Sequence, residues 1–286
     1  MASHRNEFLI YRWYIWLLLA NAKILREKFS FVYPNIQKWI LILMASSDEL
    51  LDKEEEVSYF YENCCEKCCG ASRFAINDEE LHALNVLRRR ARVKYNRANS
   101  LHSETLKQLW MVTFPGQEML EDLISDQWKS IGFQGKDPAT DFRGAGLFGL
   151  TQLYYMASHY PQEYKNILDN SHDYSFAISA LNVTHFYMYF FQIFSRNTIV
   201  MNDRRAPPRV MKAFCALNAQ DQSAIDELYV ATVIRMHKDW IEISKSKNVT
   251  IMDFRRAIDS STTHMEGILR GMPENMLELK RLSFNS

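Results

Sequence analysis

Glycine and proline are scarce in this chain, at 9 and 7 of 286 residues. Leu, Met, Ala, Glu and Lys recur instead at helical spacing, so the expected fold class is all-α. Net charge is also lacking: 34 basic side chains balance 34 acidic ones. No electrostatic footprint for nucleic acid follows from that balance. A disulfide framework is missing too. The five cysteines are odd in number, and four crowd together as Cys64, Cys65, Cys68 and Cys69, which points to a reducing, cytoplasmic setting. The sequons at Asn182-Val-Thr and Asn248-Val-Thr are discounted on the same ground.

Near the N-terminus a long uncharged run is missing as well. The uncharged run from Trp13 to Ala22 has 10 residues, and a membrane span needs about 20. The surrounding segment, residues 8–45, is rich in Trp, Tyr and Leu and carries Arg12, Lys23, Arg26 and Lys28. Aromatics with flanking cations suit helices lying in a membrane surface, peripheral to an intracellular membrane. A helical hairpin packed on the protein's own core and a signal-anchor are the alternatives. The cysteine cluster has three readings: no function, lipidation near an interfacial segment, or metal binding with help from His82 or Cys215. No metal site is expected from the rest of the chain.

The remainder reads as a succession of helices. Ser46-Ser47-Asp48 can cap one starting near Glu49, and Asp78 opens "DEELHALNVLRRRARVKYNRA". There Leu81, Leu84 and Leu87 form an apolar stripe, and Arg88 to Arg92 form a basic block expected on a solvated face. Ser103 begins "SETLKQLWMVTF", which Pro115-Gly116 breaks. Residues 117–132 are expected to be helical, with Met119, Leu120, Leu123, Ile124 and Trp128 on one face. A further helix resumes at Leu147, and Pro161 ends it or starts the next. The segment from Tyr174 to Phe194 is apolar almost all round and reads as the central buried helix. Pro207-Pro208, "DQSAIDELYVATVIRMHKDWIEI" and "TIMDFRRAIDSSTTHMEGIL" complete a bundle. The organisation expected is a hydrophobic segment at 1–46, a helical extension at 47–99, one domain at 100–272 and a tail at 273–286.

One connector breaks the pattern. "WKSIGFQGKDPATDFRGAGLFGL", residues 128–150, holds five of the nine glycines. Its Gly144-x-Gly146-x-x-Gly149 resembles a dinucleotide fingerprint, but "GKDPATDFR" before it is no buried strand. Gly135-Lys136 fails as a phosphate loop, because Asp137 follows where Ser or Thr is needed. No His-Glu-x-x-His pair or Gly-x-Ser-x-Gly elbow occurs, and His185 in its apolar helix reads as a core residue. What the connector does offer is Arg143. Pro138 stiffens the loop, Thr140 and Asp141 can fold back on nearby amides, and Trp128 and Phe133 can anchor its base. Gly144 and Gly146 remove side chains beside the arginine. Two readings follow: Arg143 is displayed to a phosphate, or it pairs with Asp137 or Asp141 and staples the loop.

The same stretch closely resembles the signature of the ELMO-domain family, in its short ELMO domain-containing branch. The likeness runs through Trp128, Gly132, Phe133, Gln134, Pro138, Thr140, Asp141, Phe142, Arg143, Gly144, Gly146, Leu150 and Leu153. Echoes follow at 174–184, 237–242 and 251–257, so that it covers roughly residues 100 to 270. The resemblance implies a single all-α ELMO domain that accelerates GTP hydrolysis on Arf or Arf-like small GTPases. Arg143 stands at the position of the family's catalytic arginine. On this reading Trp128, Gln134, Thr140, Asp141, Gly144 and Gly146 form the surrounding binding loop. The protein needs no cofactor of its own, since GTP and magnesium belong to the partner. The family's long branch implies the rival, a non-catalytic adaptor of small-GTPase signalling.

Overall fold

The computed structural model describes residues 74–118, 121–171, 173–194 and 204–284. The expectations for residues 8–45, for a helix near Glu49 and for the four clustered cysteines lie outside these. Among the described residues every regular element is helical, so the fold is all-α. None of those helices is long and apolar enough to cross a membrane.

The helices in chain order are α1 (Asp78–Arg92), α2 (Ser100–Thr113), α3 (Gly146–His159), α4 (Pro161–Asn170), α5 (Phe176–Phe190), α6 (Pro208–Gln220), α7 (Ala224–Ser244), α8 (Arg255–Arg270) and α9 (Met276–Phe284). Local chemistry sets several starts. Asn77 and Glu80 form a reciprocal capping box at α1, and Asn99 accepts the Leu101 amide at α2, each satisfying donors that a helix start leaves orphaned. Pro161 and Pro208 occupy the first turns of α4 and α6, where a missing N–H costs nothing. The interior is filled by α3, α5 and α7. Twelve of the fourteen residues of α3 are buried, and the helix expected at the centre of the bundle, α5, buries Phe176, Leu181, Tyr187 and Phe190.

Two adjacent carboxylates in the first turn of α7 tie the ends of the domain together. Asp226 takes both arms of the Arg90 guanidinium at 2.8 and 2.9 Å and a bond from Gln152 at 3.3 Å. Glu227 accepts from the hydroxyls of Tyr155 and Tyr160 and pairs with Lys280 of α9 at 2.9 Å. Both carboxylates are buried, and an acidic side chain at a helix start also faces the favourable end of the helix dipole. Truncating one partner of such a buried pair costs about 3–5 kcal/mol, because the other charge is left stranded.

Three sequence expectations need correction. The basic block of α1 is not wholly solvated: Arg88 is buried and donates to the Gln192 carbonyl at 3.2 Å, while Arg90 reaches Asp226. The apolar stripe keeps Leu84 and Leu87, whereas Leu81 is exposed. The region expected as a helix over 117–132 is, where described, a turn followed by a short 3-10 helix from Asp126 to Ile131. Leu123 lies in the left-handed region at φ 62. Asp122 and Ser125 accept the amides of Ile124 and Gln127, so side chains take donors that an α-helix would have used.

Helix α1 also packs inside the bundle. Lys212 of α6 pairs with its Glu80 at 2.7 Å, and Val93 just beyond it accepts the Leu147 amide of α3 at 2.9 Å. At the other end, Leu279 of α9 is buried.

Candidate functional site

The glycine-rich connector folds into two 3-10 helices, Asp126–Ile131 and Pro138–Arg143, with a loop between them. Its base is aromatic. Trp128 is fully buried, meets Trp110 and Phe133 edge-on at 5.1 and 5.5 Å, and donates from Nε1 to the Leu123 carbonyl at 3.2 Å. Phe133 continues the chain of rings to Phe142, and Phe142 to Tyr95. Buried rings at these separations fix the loop's position relative to α2. Trp128 has no surface for a partner to touch. It belongs to the anchor, as its residue type suggested, and not to the binding residues among which the resemblance placed it.

Above that base the polar side chains hold one another. Ser125 donates its amide to Lys136 at 2.9 Å and closes the loop. Asp137 caps the second 3-10 helix through the Ala139 amide at 3.0 Å and pairs with Arg97. Thr140 donates its hydroxyl to the Asp137 carbonyl at 2.8 Å. Asp141 accepts the Gln134 amide at 3.0 Å. Desolvation raises the Asp141 carboxyl above its ordinary value, against the Gln134 hydrogen bond and the nearby Arg143 charge.

Both acids that could have stapled Arg143 thus hold another group, Asp137 the Arg97 guanidinium and Asp141 the Gln134 amide. Arg143 ends the 3-10 helix with its side chain exposed and makes no hydrogen bond or ion pair among the described residues. The glycines after it are needed for close approach. A Cβ on Gly144 would come within 2.2 Å of His185 Nε2. Gly146 has φ +60, and a Cβ there would come within 2.5 Å of the Val93 carbonyl oxygen. That same carbonyl takes the Leu147 amide, so the bare backbone of Gly146 lets α3 begin where it does.

Arg143 borders a hollow of about 340 Å³. Gln134, Thr140, Asp141 and Arg143 form the loop side, and Ile178, Leu181, Asn182 and His185 of α5 form the other. The structure thus brings four of the residues expected at the site to one hollow and leaves Gly144 on its rim beside His185. Gly146 is buried beneath it. The α5 wall was not anticipated. Asn182 and His185 stand three apart on a mostly apolar helix, a spacing that puts two polar side chains on one face. That signal was available, but it does not say what the face looks onto. Among the described residues, no group of three or more His, Cys, Asp or Glu side chains is placed to hold a metal ion.

Comparison with known proteins bears on this geometry. The sequence model of the ELMO/CED-12 family matches residues 85–258, most of the described domain. The chain belongs to the ELMO/CED-12 family. The ELMO match begins within α1, the helix that packs into the bundle. Human ELMO domain-containing protein 2 is 32% identical over 172 residues, 59% of this chain and 55% of its own length. ELMO domain-containing protein C of Dictyostelium discoideum is 27% identical over 207 residues, 72% of this chain and 32% of its own. ELMO domain-containing protein 1 of Pongo abelii is 30% identical over 187 residues, 58% of this chain and 54% of its own. These likenesses put the chain in the ELMO domain-containing branch. The chain spans about half or less of the length of the relatives it matches. No solved structure matches it.

Proposed function

We propose that this ELMO-domain protein is a GTPase-activating protein for an Arf or Arf-like small GTPase, with Arg143 supplied in trans to the partner's nucleotide. The observation that carries the reading is the state of Arg143: exposed, unpaired among the described residues, and set on a turn whose own acids are committed to other groups. GTP hydrolysis builds negative charge on the oxygens around the transferred phosphoryl group. A planar, permanently charged guanidinium stabilises that charge best when it arrives already oriented. An arginine supplied in trans accelerates hydrolysis by about 10³–10⁵, or roughly 4–7 kcal/mol of barrier.

The other residues take supporting roles. Asp137, Thr140 and Asp141 hold the turn through the bonds described above. Gly144 and Gly146 let it approach α5 and α3. Gln134 stands exposed on the rim, where it meets the partner. GTP and magnesium are bound by the GTPase, and orientation of the attacking water comes mostly from it. Residues 8–45, outside the described structure, would hold the protein at an intracellular membrane.

Single-turnover hydrolysis by GTP-loaded Arf and Arf-like GTPases, with and without the full-length protein, is the test. The expected result is acceleration of at least one of them. Binding of the GTP-loaded form with no acceleration of any would overturn the reading in favour of a non-catalytic adaptor.

A further inference from the structure

We propose that residues 245–256, the turn joining α7 to α8 with the first two residues of α8, form a contact site for an anionic membrane surface. This inference stands independently of the GTPase reading. The chain as a whole is neutral, yet these twelve residues hold Lys245, Lys247, Arg255 and Arg256 against one acid, Asp253. Between the two pairs of cations stand Ile251 and Met252, both exposed, Met252 to 87%. Two adjacent aliphatic side chains turned to water, flanked on both sides by cations, match the chemistry of a bilayer's headgroup boundary.

The turn is built to present them. Thr250 and Asp253 form a capping box: Asp253 accepts the Thr250 amide at 3.0 Å and Thr250 accepts the Met252 amide at 3.3 Å. Beneath it Phe254 is buried, stacked on Tyr174 at 4.6 Å and beside Trp240 at 5.1 Å. Trp240 Nε1 donates to Asp173 at 2.9 Å. The base is therefore fixed while the tip is apolar.

The cations are available to lipid phosphates. Lys245 pairs with Glu242 at 2.6 Å, Arg255 with Asp259 at 3.6 Å and Arg256 with Asp253 at 3.9 Å. Pairs this open to solvent hold weakly and rearrange readily. Lys247 has no ion pair among the described residues.

A membrane held at this turn would also orient the domain. Phe254 stacks on Tyr174, two residues before α5 begins, and Ile178 in the first turn of α5 lines the hollow beside Arg143.

Hydrogen–deuterium exchange on the full-length protein tests the proposal locally, whatever residues 8–45 do. Peptides covering 245–256 should gain protection with phosphatidylserine-containing vesicles. They should gain none with pure phosphatidylcholine vesicles, and the protection should fade in high salt. Met252→Glu should lower partitioning onto the acidic vesicles by about tenfold, the factor that burial of one aliphatic side chain carries, with thermal unfolding unchanged. Three results would overturn the proposal: no protection of this turn by acidic vesicles, equal protection by neutral ones, or protection by a bound GTPase in the absence of lipid.

Discussion

Arg90 and Arg143 carry the same guanidinium in opposite surroundings. Arg90 is half-sunk in the bundle, gripped by both oxygens of Asp226 and lying 4.9 Å from the Phe148 ring centroid. Arg143 stands at the end of a 3-10 turn with its near acids already bonded to an amide and to Arg97. One arginine holds the fold together. The other stays out of it, on a turn whose two nearby acids each already hold another group. A charge is useful to a partner only if the protein's own acids do not neutralise it first, and Arg143 forms no ion pair among the described residues.

The two sites should respond to truncation in opposite ways. Arg143→Ala should abolish acceleration of GTP hydrolysis, a loss of about 10³–10⁵. Its unfolding free energy should stay within the small range of a surface change, about 0.5 kcal/mol. Arg90→Ala should do the reverse: about 3–5 kcal/mol of stability lost in urea or heat, because Asp226 is left buried and unpaired, with activity per folded molecule retained. If both variants lost stability alike, the distinction between them would fail.

Smaller changes sharpen the same contrast. Gly144→Ala puts a methyl group into the His185 ring. The ring or the turn must shift, and a displacement of about 1 Å at a catalytic group costs roughly 10²-fold in rate. The variant should stay folded by circular dichroism while the rate falls.

The smallest effect is expected at a purely structural group. His237 is buried, with Nδ1 bonded to the Tyr174 hydroxyl at 2.9 Å and no partner on Nε2 among the described residues. Burial lowers its pKa below the ordinary 6.5, against the opposing charge of Asp173. The unfolded chain therefore takes up the proton first. The stability contribution is fully present above about pH 6.5 and declines as pH falls from there through the depressed folded value. His237→Gln should flatten the dependence of the unfolding midpoint between pH 7 and pH 5, and GTPase activation at neutral pH should not change.

Much of the fold was legible in the sequence because its determinants are local. Pro161 and Pro208 mark helix starts, Asp78 opens α1, and the apolar character of 174–194 marks an interior helix. The connector stood out because it gathers most of the glycine. What stayed hidden depended on distant partners or on side chains competing with the backbone. Nothing near Arg90 reveals that Asp226, far along the chain, will bury it. The periodicity over 117–132 gave the wrong element because Asp122 and Ser125 bond their own neighbours and Leu123 turns left-handed. Trp128 shows the two routes side by side: its residue type and place read it as an anchor, which its packing on Trp110 and Phe133 bears out, while the family motif grouped it with the binding residues. His185 read as core from its helix alone, and only the approach of Gly144 shows it facing the hollow.

The central claim is that Arg143 contributes through its planar, bidentate cation and not through charge alone or through folding. Single-turnover GTP hydrolysis by an activated Arf-family GTPase, measured with saturating wild-type protein and with Arg143→Lys, tests it most directly. The account predicts that the lysine variant unfolds at the wild-type midpoint, still binds the GTPase, and accelerates hydrolysis little or not at all. Acceleration by Arg143→Lys equal to that of the wild type would contradict it.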